Sequence, residues 1–235
     1  KLIEKMRVPL TIFEVLTVIY IMNASKQNVN YHLVEAGALF AKDSTNVFDF
    51  PLAQVVVNIN KQHLNFLDKN KKTLDEVIYQ KVGFLSNFTD IYVGKQNPNV
   101  LKKIKRNLIK NRSEINYPNA WRLVKKNKQY FYQDHKNKII LNSKNIYSKG
   151  ILENVCHAIK IALDLKINKK VIKKTIPKII FEGRFQYLSS GKIKNRLNEN
   201  EKIMIDGAHA EVDAKNLSDY LKSIKIPKYG IWAMM

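Results

Sequence analysis

Four places along the chain carry side chains suited to a site for metal ions and phosphate groups. Asp206 to His209 follow directly on the apolar run Ile203 to Ile205, and Glu35 and His63 come after two other apolar runs. Lys81 lies within a helical pattern. Open α/β sheets bind ligands where the carboxyl ends of strands meet loops. We therefore expect chemistry at these positions.

Each upstream group also has a plainer interpretation. The Glu35 carboxylate is a natural ligand for Mg²⁺, which takes few protein ligands beside substrate phosphates, but a carboxylate at a strand end can equally cap a helix. A single histidine such as His63 is a weak signal, since most histidines lie at the surface or are satisfied in the core. Lys81 shares a helical row with Leu74 and Ile78, which points its stem inward, although a lysine can extend its ammonium to solvent.

An arginine in the second half of the chain is a further candidate for phosphate binding. Arg184 is flanked by Gly183 and Phe185. A guanidinium there could bind a phosphate at a domain boundary. It could also be one of many surface cations.

The elements that must position these groups alternate between strands and helices. Short apolar runs predict strands buried on both faces, at Tyr31–Val34, Val55–Ile59 and Ile91–Val93. Helical spacing and capping residues predict helices, at Thr11–Met22, Leu74–Val82, Asn97–Leu108, Leu152–Leu165 and Lys169–Thr175. The first of these helices is expected to pack on the sheet. A new strand-loop-helix-strand unit is predicted at Lys202–Ile205, Glu211–Ile224 and Tyr229–Ala233.

The predicted fold class is α/β, with a mostly parallel sheet flanked by helices. An appended antiparallel hairpin is predicted at Tyr130–Tyr132 and Ile139–Leu141, because both runs are rich in β-forming residues and turn residues separate them. We expect one domain over residues 1–185, a linker over 186–201 and the start of a second, Rossmann-like domain over 202–235.

Composition narrows the class of protein. The 235 residues contain 41 Lys+Arg against 20 Asp+Glu, a formal charge of +21 that would attract phosphates, polycarboxylates or nucleic acid. The alternative interpretation is that these lysines lie on solvent-exposed faces of helices and have no binding role.

Cys156 is the single cysteine, which excludes an internal disulfide, and no apolar run is long enough to span a bilayer. We expect a cytoplasmic protein.

The order of the motifs resembles the folylpolyglutamate synthase and dihydrofolate synthase family of the Mur ligase superfamily. The residues that carry this resemblance are Phe13, Glu14, Glu35, Gly37, Asp43, Thr45, Asn46, His63, Lys81, Asn154, Gly183, Arg184 and Asp206 to His209. Asp43-Ser-Thr-Asn46 and Asp206-Gly-Ala-His209 are the most specific. The resemblance covers nearly the whole chain and implies that residues 1–185 form the family's central ATP-binding domain, with residues 202–235 beginning its C-terminal domain.

The resemblance also implies roles for single residues. It makes Glu35 and His63 ligands of Mg²⁺ beside the γ-phosphate, and Lys81 a carbamylated lysine near a second metal ion. The remaining matched residues would face the nucleotide: Arg184 at the ATP phosphates, Asp206 at the ribose, and Asn154 and His209 close by. Lys81 and His209 are the residues that would act in catalysis.

The activity so implied is ATP-dependent ligation. The enzyme would add L-glutamate to dihydropteroate, to the γ-carboxyl of folate, or to both, through an acyl phosphate. Its cofactors would be ATP and two Mg²⁺ ions and its partners small-molecule substrates, and we expect a monomer that binds neither membranes nor nucleic acid. Two alternatives remain open: a catalytically inactive scaffold of the ligase fold, and a basic nucleic-acid-binding domain.

Departures from the family pattern motivate the inactive alternative. They lie at Leu39, Phe40, Ala41, Gln62, Gln80, Ile151 and Ala210. The chain also starts at Lys1, ends within a predicted strand and contains no Gly-rich phosphate loop with its lysine. We therefore expect a fragment of a longer protein, inactive by itself.

Overall fold

The computed structural model describes residues 9–142, 146 and 148–233. These residues form two units. One contains residues 9–91 and 96–115, and the other contains residues 92–95 and 116–233. Within the described residues, no helix has the length and apolar character needed to cross a membrane.

The first unit contains three α-helices and most of a parallel sheet. The helices are α1 (Ile12–Ala24), α2 (Leu74–Val82) and α3 (Pro98–Asn107). Strands β1 (Ala53–Val56), β2 (Asp90–Val93) and β3 (Glu114–Asn116) form the three-stranded parallel sheet in the order β1-β2-β3.

Local sequence explains where these helices begin. Thr11 and Glu14 form a reciprocal capping box at the start of α1. The Thr73 side chain accepts a hydrogen bond from the Glu76 backbone N–H at α2, and Asn97 caps α3 ahead of Pro98. The predicted helix positions are thus confirmed to within two residues at each end.

Of the strands predicted for this unit, the one at Tyr31–Val34 is wrong, and the one at Val55–Ile59 is wrong in its bounds and its burial. Tyr31–Val34 is not a strand, and Leu33 is 92% exposed, because an extended segment becomes a strand only when a neighbour supplies backbone partners. β1 is an edge strand whose burial alternates: Gln54 and Val56 are buried while Val55 is half exposed. It is therefore buried on one face only.

Helix α1 also departs from expectation. Its apolar side chains Ile12 and Leu16 are exposed, at 81% and 55%, and its buried residue is Thr17. Within the part of the chain that is described, its apolar stripe is not covered by the sheet. Periodicity identified the helix but not the surface against which it packs.

The second unit is built around an antiparallel sheet and a long helix. β4 (Arg122–Lys126), β5 (Gln129–Gln133) and β6 (Lys138–Ile140) pair in that order. The predicted hairpin is β5-β6. β4 was not predicted. The turn that joins it to β5 contains Asn127 and Lys128 at φ 48° and 63°, the signature of a tight hairpin turn.

Helices α4 (Lys149–Asp164) and α5 (Lys169–Thr175) complete the core of this unit. Its buried cluster is apolar, and Cys156 lies within it. The cluster consists of Trp121, Tyr132, Ile139, Leu141, Leu152, Val155, Cys156, Ile159, Ile172 and Ile176. Cys156 is thus a small, fully buried core residue.

The C-terminal part of this unit contains β7 (Gln186–Tyr187), β8 (Met204–Ile205) and α6 (Glu211–Ser223). β7 and β8 pair antiparallel. The predicted strand Tyr229–Ala233 does not form, and Tyr229 is 99% exposed, since no described strand pairs with it. The domain boundaries at residues 185 and 202 stay a prediction.

Candidate active site

A pair of loops brings the Gly183-Arg184 and Asp206-to-His209 motifs together within the second unit. The loops flank the short ladder of β7 and β8, in which Gln186 pairs with Ile205 and Tyr187 with Met204. The Gly207 backbone N–H donates a 2.7 Å hydrogen bond to the Gly183 carbonyl. Residues separated by more than twenty positions in sequence are thereby neighbours. We call residues 183–186 and 206–209 the loop pair.

The Asp206 carboxylate joins the two loops. Its Oδ2 accepts a hydrogen bond from the Phe185 backbone N–H and its Oδ1 accepts one from the Ala208 backbone N–H, both at 2.8 Å. Phe185 is buried and has a left-handed backbone, with φ 49°. Hydrogen bonds to a carboxylate are stronger than neutral ones. Asp206 therefore holds Phe185 in a conformation that a non-glycine residue seldom adopts.

Arg184 lies over the second loop. Its Nη1 donates a 2.8 Å hydrogen bond to the Gly207 carbonyl and lies 3.8 Å from Asp213 Oδ2 on α6. The side chain is 39% exposed. A guanidinium has five N–H donors, so an arginine anchored by Nη1 at the protein surface can still present donors to an anion.

The backbone conformation of Gly183 accounts for one glycine of the loop pair. Gly183 has φ 68°, a left-handed conformation that favours glycine. A Cβ on Gly207 would lie 3.4 Å from the Gly183 carbonyl oxygen and 3.9 Å from Arg184 Nη1. These are ordinary van der Waals distances, so a Cβ would fit at Gly207 without displacing either atom.

His209 and Asn154 are both exposed in the same unit. His209 Nδ1 lies 2.9 Å from the Gly207 carbonyl. Since a carbonyl only accepts, Nδ1 is the donor in this contact, and Nε2 does not take part in it. Asn154 is on α4, after Glu153, which forms a 2.9 Å ion pair with Lys95.

Two members of this site, Gln186 and Asp213, were not predicted from the sequence. Gln186 Oε1 accepts a 2.8 Å hydrogen bond from the Gly183 backbone N–H, and Asp213 faces Arg184. Neither residue type stands out by spacing, because both contacts depend on how β7, β8 and α6 are folded together.

In the first unit, Asp43 organises the loop after Glu35. Asp43 Oδ2 accepts a hydrogen bond from the Gly37 N–H at 2.9 Å, and Oδ1 accepts from the Thr45 N–H and hydroxyl at 2.9 and 2.6 Å. A Cβ on Gly37 would meet Asp43 Oδ2 at 3.1 Å. Ser44 Oγ lies 2.7 Å from Thr17 Oγ1, which connects this loop to α1.

The same loop is tied to the helix that carries Lys81. The Ala41 backbone N–H donates to the Gln80 carbonyl at 2.9 Å. Lys81 is half-buried, and burial lowers its pKa below the usual lysine range. A lower pKa leaves more of the amine neutral, and the neutral amine is the form that reacts with carbon dioxide to give a carbamate.

The remaining predicted metal ligands lie on this unit too. Glu35 is exposed, and His63 is half-buried, with a left-handed backbone at φ 60° and its ring 6.2 Å from that of Phe66. Among the described residues, no three His, Cys, Asp or Glu side chains gather into a metal-binding cluster. A carboxylate oxygen is a ligand that Mg²⁺ prefers, and Mg²⁺ usually completes its coordination with phosphate and water oxygens.

Comparison of the structure with solved structures gives close matches in fold. A folylpolyglutamate synthase in complex with AMPPCP and folate superposes with a TM-score of 0.78 at 17% identity, covering 95% of this chain and 55% of that one. The chain has the fold of the folylpolyglutamate synthases. The resemblance inferred from the motifs and the predicted α/β fold are thereby confirmed.

Two further matches come from bacteria. The folylpolyglutamate synthase of Thermotoga maritima gives a TM-score of 0.72 at 21% identity, with 89% of this chain and 47% of that chain covered. The bifunctional folylpolyglutamate synthase/dihydrofolate synthase of Yersinia pestis, complexed with AMPPNP and a manganese ion, gives 0.74 at 18% identity, with 92% and 49% covered. The chain spans about half the length of the structures it matches. No protein-family model and no curated protein sequence matches it.

Proposed function

We propose that this chain forms the central part of an ATP-dependent ligase that adds L-glutamate to dihydropteroate, to the γ-carboxyl of a folate, or to both. The observation that carries the proposal is the loop pair: Arg184, Asp206 and His209, three of the residues that the motifs match to nucleotide binding, lie together on the fold shared with these ligases. The solved structures with this fold include complexes with AMPPCP, AMPPNP, manganese and folate.

The chemistry requires an activated acyl group. Transfer of the γ-phosphoryl group of ATP to the substrate carboxylate gives an acyl phosphate and ADP. The glutamate amine then attacks the acyl carbon, the phosphate leaves, and the amine loses a proton to give the amide. Positioning and neutralisation of charge are the main demands on the protein.

The loop pair would hold the nucleotide. Arg184, anchored on the Gly207 carbonyl, would direct its outer N–H groups at phosphate oxygens. Asp206 would keep Phe185 and Ala208 in place and offer its remaining lone pairs to a ribose hydroxyl. His209 Nε2 and the Asn154 amide would contact the nucleotide from the solvent side.

The first unit would hold the metal ions. Glu35 and His63 would bind one Mg²⁺, and Lys81, once carbamylated, would serve a second. When bound, these ions supply positive charge that offsets the charge of the transferring phosphoryl group. The bonds from Gly37 and Ala41 to Asp43 and Gln80 fix the backbone around Glu35 and Lys81.

The test uses the natural full-length protein with ATP, Mg²⁺, L-glutamate and either dihydropteroate or tetrahydrofolate. We expect glutamate-dependent release of ADP and a product one glutamate longer. Glu35→Gln and His63→Ala should each lower kcat/KM by a factor of at least about 100, since charge neutralisation at the phosphoryl group is worth several kcal/mol. Matched controls are Glu114→Gln and His135→Ala, two exposed residues of the same types.

Nucleotide binding is tested separately. Arg184→Gln should weaken ATP binding roughly tenfold, the effect of losing one charge-assisted contact, whereas Arg196→Gln, at an exposed arginine outside the loop pair, should not. No turnover with either pterin substrate, together with normal ATP binding, would favour the inactive scaffold. Full activity of both metal-site variants would refute the metal assignment.

A further inference from the structure

A concavity on the second unit shares no lining residue with the loop pair and has no role in the proposed reaction. Its volume is about 490 Å³. Residues from β5, β6 and the segment at the end of α5 line it: Phe131, Lys138, Ile140, Asn142, Lys173 and Pro177. The site is therefore assembled from three separate parts of the chain.

The strand register explains its apolar wall. Phe131 pairs with Ile140 across β5 and β6, so both side chains lie on the same face of the sheet. Their neighbours Tyr132 and Ile139 point to the other face and are buried in the core. Ile140 is 40% exposed. The face opposite the core thus presents an aromatic ring and an aliphatic chain to solvent.

Two lysine side chains also line the concavity. Lys138 Nζ lies 4.7 Å from the centroid of the Phe131 ring, a cation–π contact that holds the ammonium over the aromatic surface. Lys173, on the exposed side of α5, is the second ammonium that lines the cavity. None of the six lining residues is acidic.

The stretch that contains α5 adds to the positive potential. Between Asp164 and Glu182 the sequence contains six lysines and no acidic residue: Lys166, Lys169, Lys170, Lys173, Lys174 and Lys178. A concave surface lined by one sign of charge concentrates ligands of the opposite sign. The potential here selects for anions.

We propose that this cavity binds an organic anion that consists of a flat apolar body and a carboxylate or phosphate head. The body would pack on Ile140, on Pro177 and on the part of the Phe131 ring that the Lys138 ammonium does not cover, and the head would take Lys138, Lys173 and the Asn142 amide as donors. Because the cation–π contact already holds the Lys138 ammonium over the ring, little side-chain entropy is lost on binding. Ligand sites are typically apolar cavities with a few polar groups that fix orientation.

The experiment compares three naphthalene probes that share one body. They are 1-naphthoate, 1-naphthyl phosphate and the neutral 1-naphthalenemethanol, measured by titration calorimetry and by ¹⁵N chemical-shift mapping on the full chain. At least one of the two anions should bind at sub-millimolar Kd and shift the amide resonances of Phe131, Ile140 and Asn142. Which anion binds more tightly distinguishes a carboxylate ligand from a phosphate ligand.

Substitutions then locate the site. Lys138→Gln and Lys173→Gln should each weaken anion binding roughly threefold to tenfold, the effect of removing one of two partly exposed cations. Lys136→Gln changes the same charge on an exposed lysine of the β5–β6 turn outside the cavity and should leave the Kd unchanged. Equal binding of the neutral probe, equal effects of the three substitutions, or no binding by either anion would each overturn the proposal. The ligase assay is independent of all three results.

Discussion

His157 gives the most quantitative prediction for the second unit. The residue is 3% exposed, and its ring stacks on Trp121 with centroids 5.1 Å apart and planes inclined by 17°. The ring donates a hydrogen bond to the Tyr92 backbone carbonyl, while Nε2 has no partner among the described residues. Burial lowers the pKa of His157 from 6.5 to about 4, against the smaller opposing effect of the Tyr92 bond.

The sign of the pH dependence follows from this shift. The folded-state pKa lies below the unfolded-state pKa, so the unfolded chain binds a proton more readily at every pH between about 4 and 6.5. The neutral imidazole favours the fold above pH 6.5, and that advantage is lost as the pH falls. With 1.36 kcal/mol for each pKa unit, the loss between pH 7.5 and pH 5 is roughly 2 kcal/mol, and it approaches about 3 kcal/mol below pH 4.

Urea unfolding at several pH values measures this loss. Trp121 fluorescence reports on the unit when Trp232, which is 70% exposed, is replaced by Phe. The comparison variant is His157→Gln, whose amide can donate to the same carbonyl but does not titrate. We expect the free energy of unfolding to fall by roughly 2 kcal/mol more in the parent than in this variant over the same pH range. Equal pH dependence in both proteins would refute the reasoning.

Three further predictions concern the loop pair and the core. Asp206→Asn removes one of the two carboxylate acceptors, so hydrogen exchange at the Phe185 and Ala208 amides should be roughly tenfold faster or more. Ala210 is the N-cap of α6 and makes no side-chain capping bond, so Ala210→Asn should raise the free energy of unfolding by about 1 kcal/mol in urea titrations. Burial, with a smaller effect from the Glu153 charge, raises the pKa of the Cys156 thiol to about 12, so a disulfide reagent at pH 8 should modify it only on unfolding.

Matched variants separate these effects from general ones. Asp219→Asn, at an exposed carboxylate of α6, should leave exchange in the loop pair unchanged. Ala214→Asn, inside the same helix, should destabilise rather than stabilise. Rapid modification of Cys156 in the native protein, with a rate that follows thiolate concentration, would contradict its burial.

The sequence was most informative where local chemistry decides structure. Thr11, Thr73 and Asn97 cap helices where their residue types predict, because a cap needs only a few neighbouring residues. The hairpin was visible from Tyr130 to Leu141 for the same reason. The strand at Arg122 was missed, since its alternation is weak and its turn uses a lysine with positive φ.

Packing partners were the least predictable feature. The apolar spacing of α1 and of Tyr31–Val34 indicates surfaces that are expected to pack against another part of the protein. The spacing does not identify that packing partner. Among the described residues, Ile12 and Leu33 are exposed. A strand exists only through its neighbour. Tyr229–Ala233 has the composition of a strand but is not one, because no described strand pairs with it.

The candidate site also combines features that the sequence predicts with features that only the tertiary structure determines. The amino-acid sequence by itself determined the residue types: an aspartate, two glycines, an arginine and a histidine in an order that resembles a ligase family. Only the tertiary structure decided that Arg184 lies on the Gly207 carbonyl and that Asp206 binds the Phe185 amide. These contacts join residues more than twenty positions apart through the antiparallel ladder of β7 and β8, and no local pattern specifies how two such short strands pair.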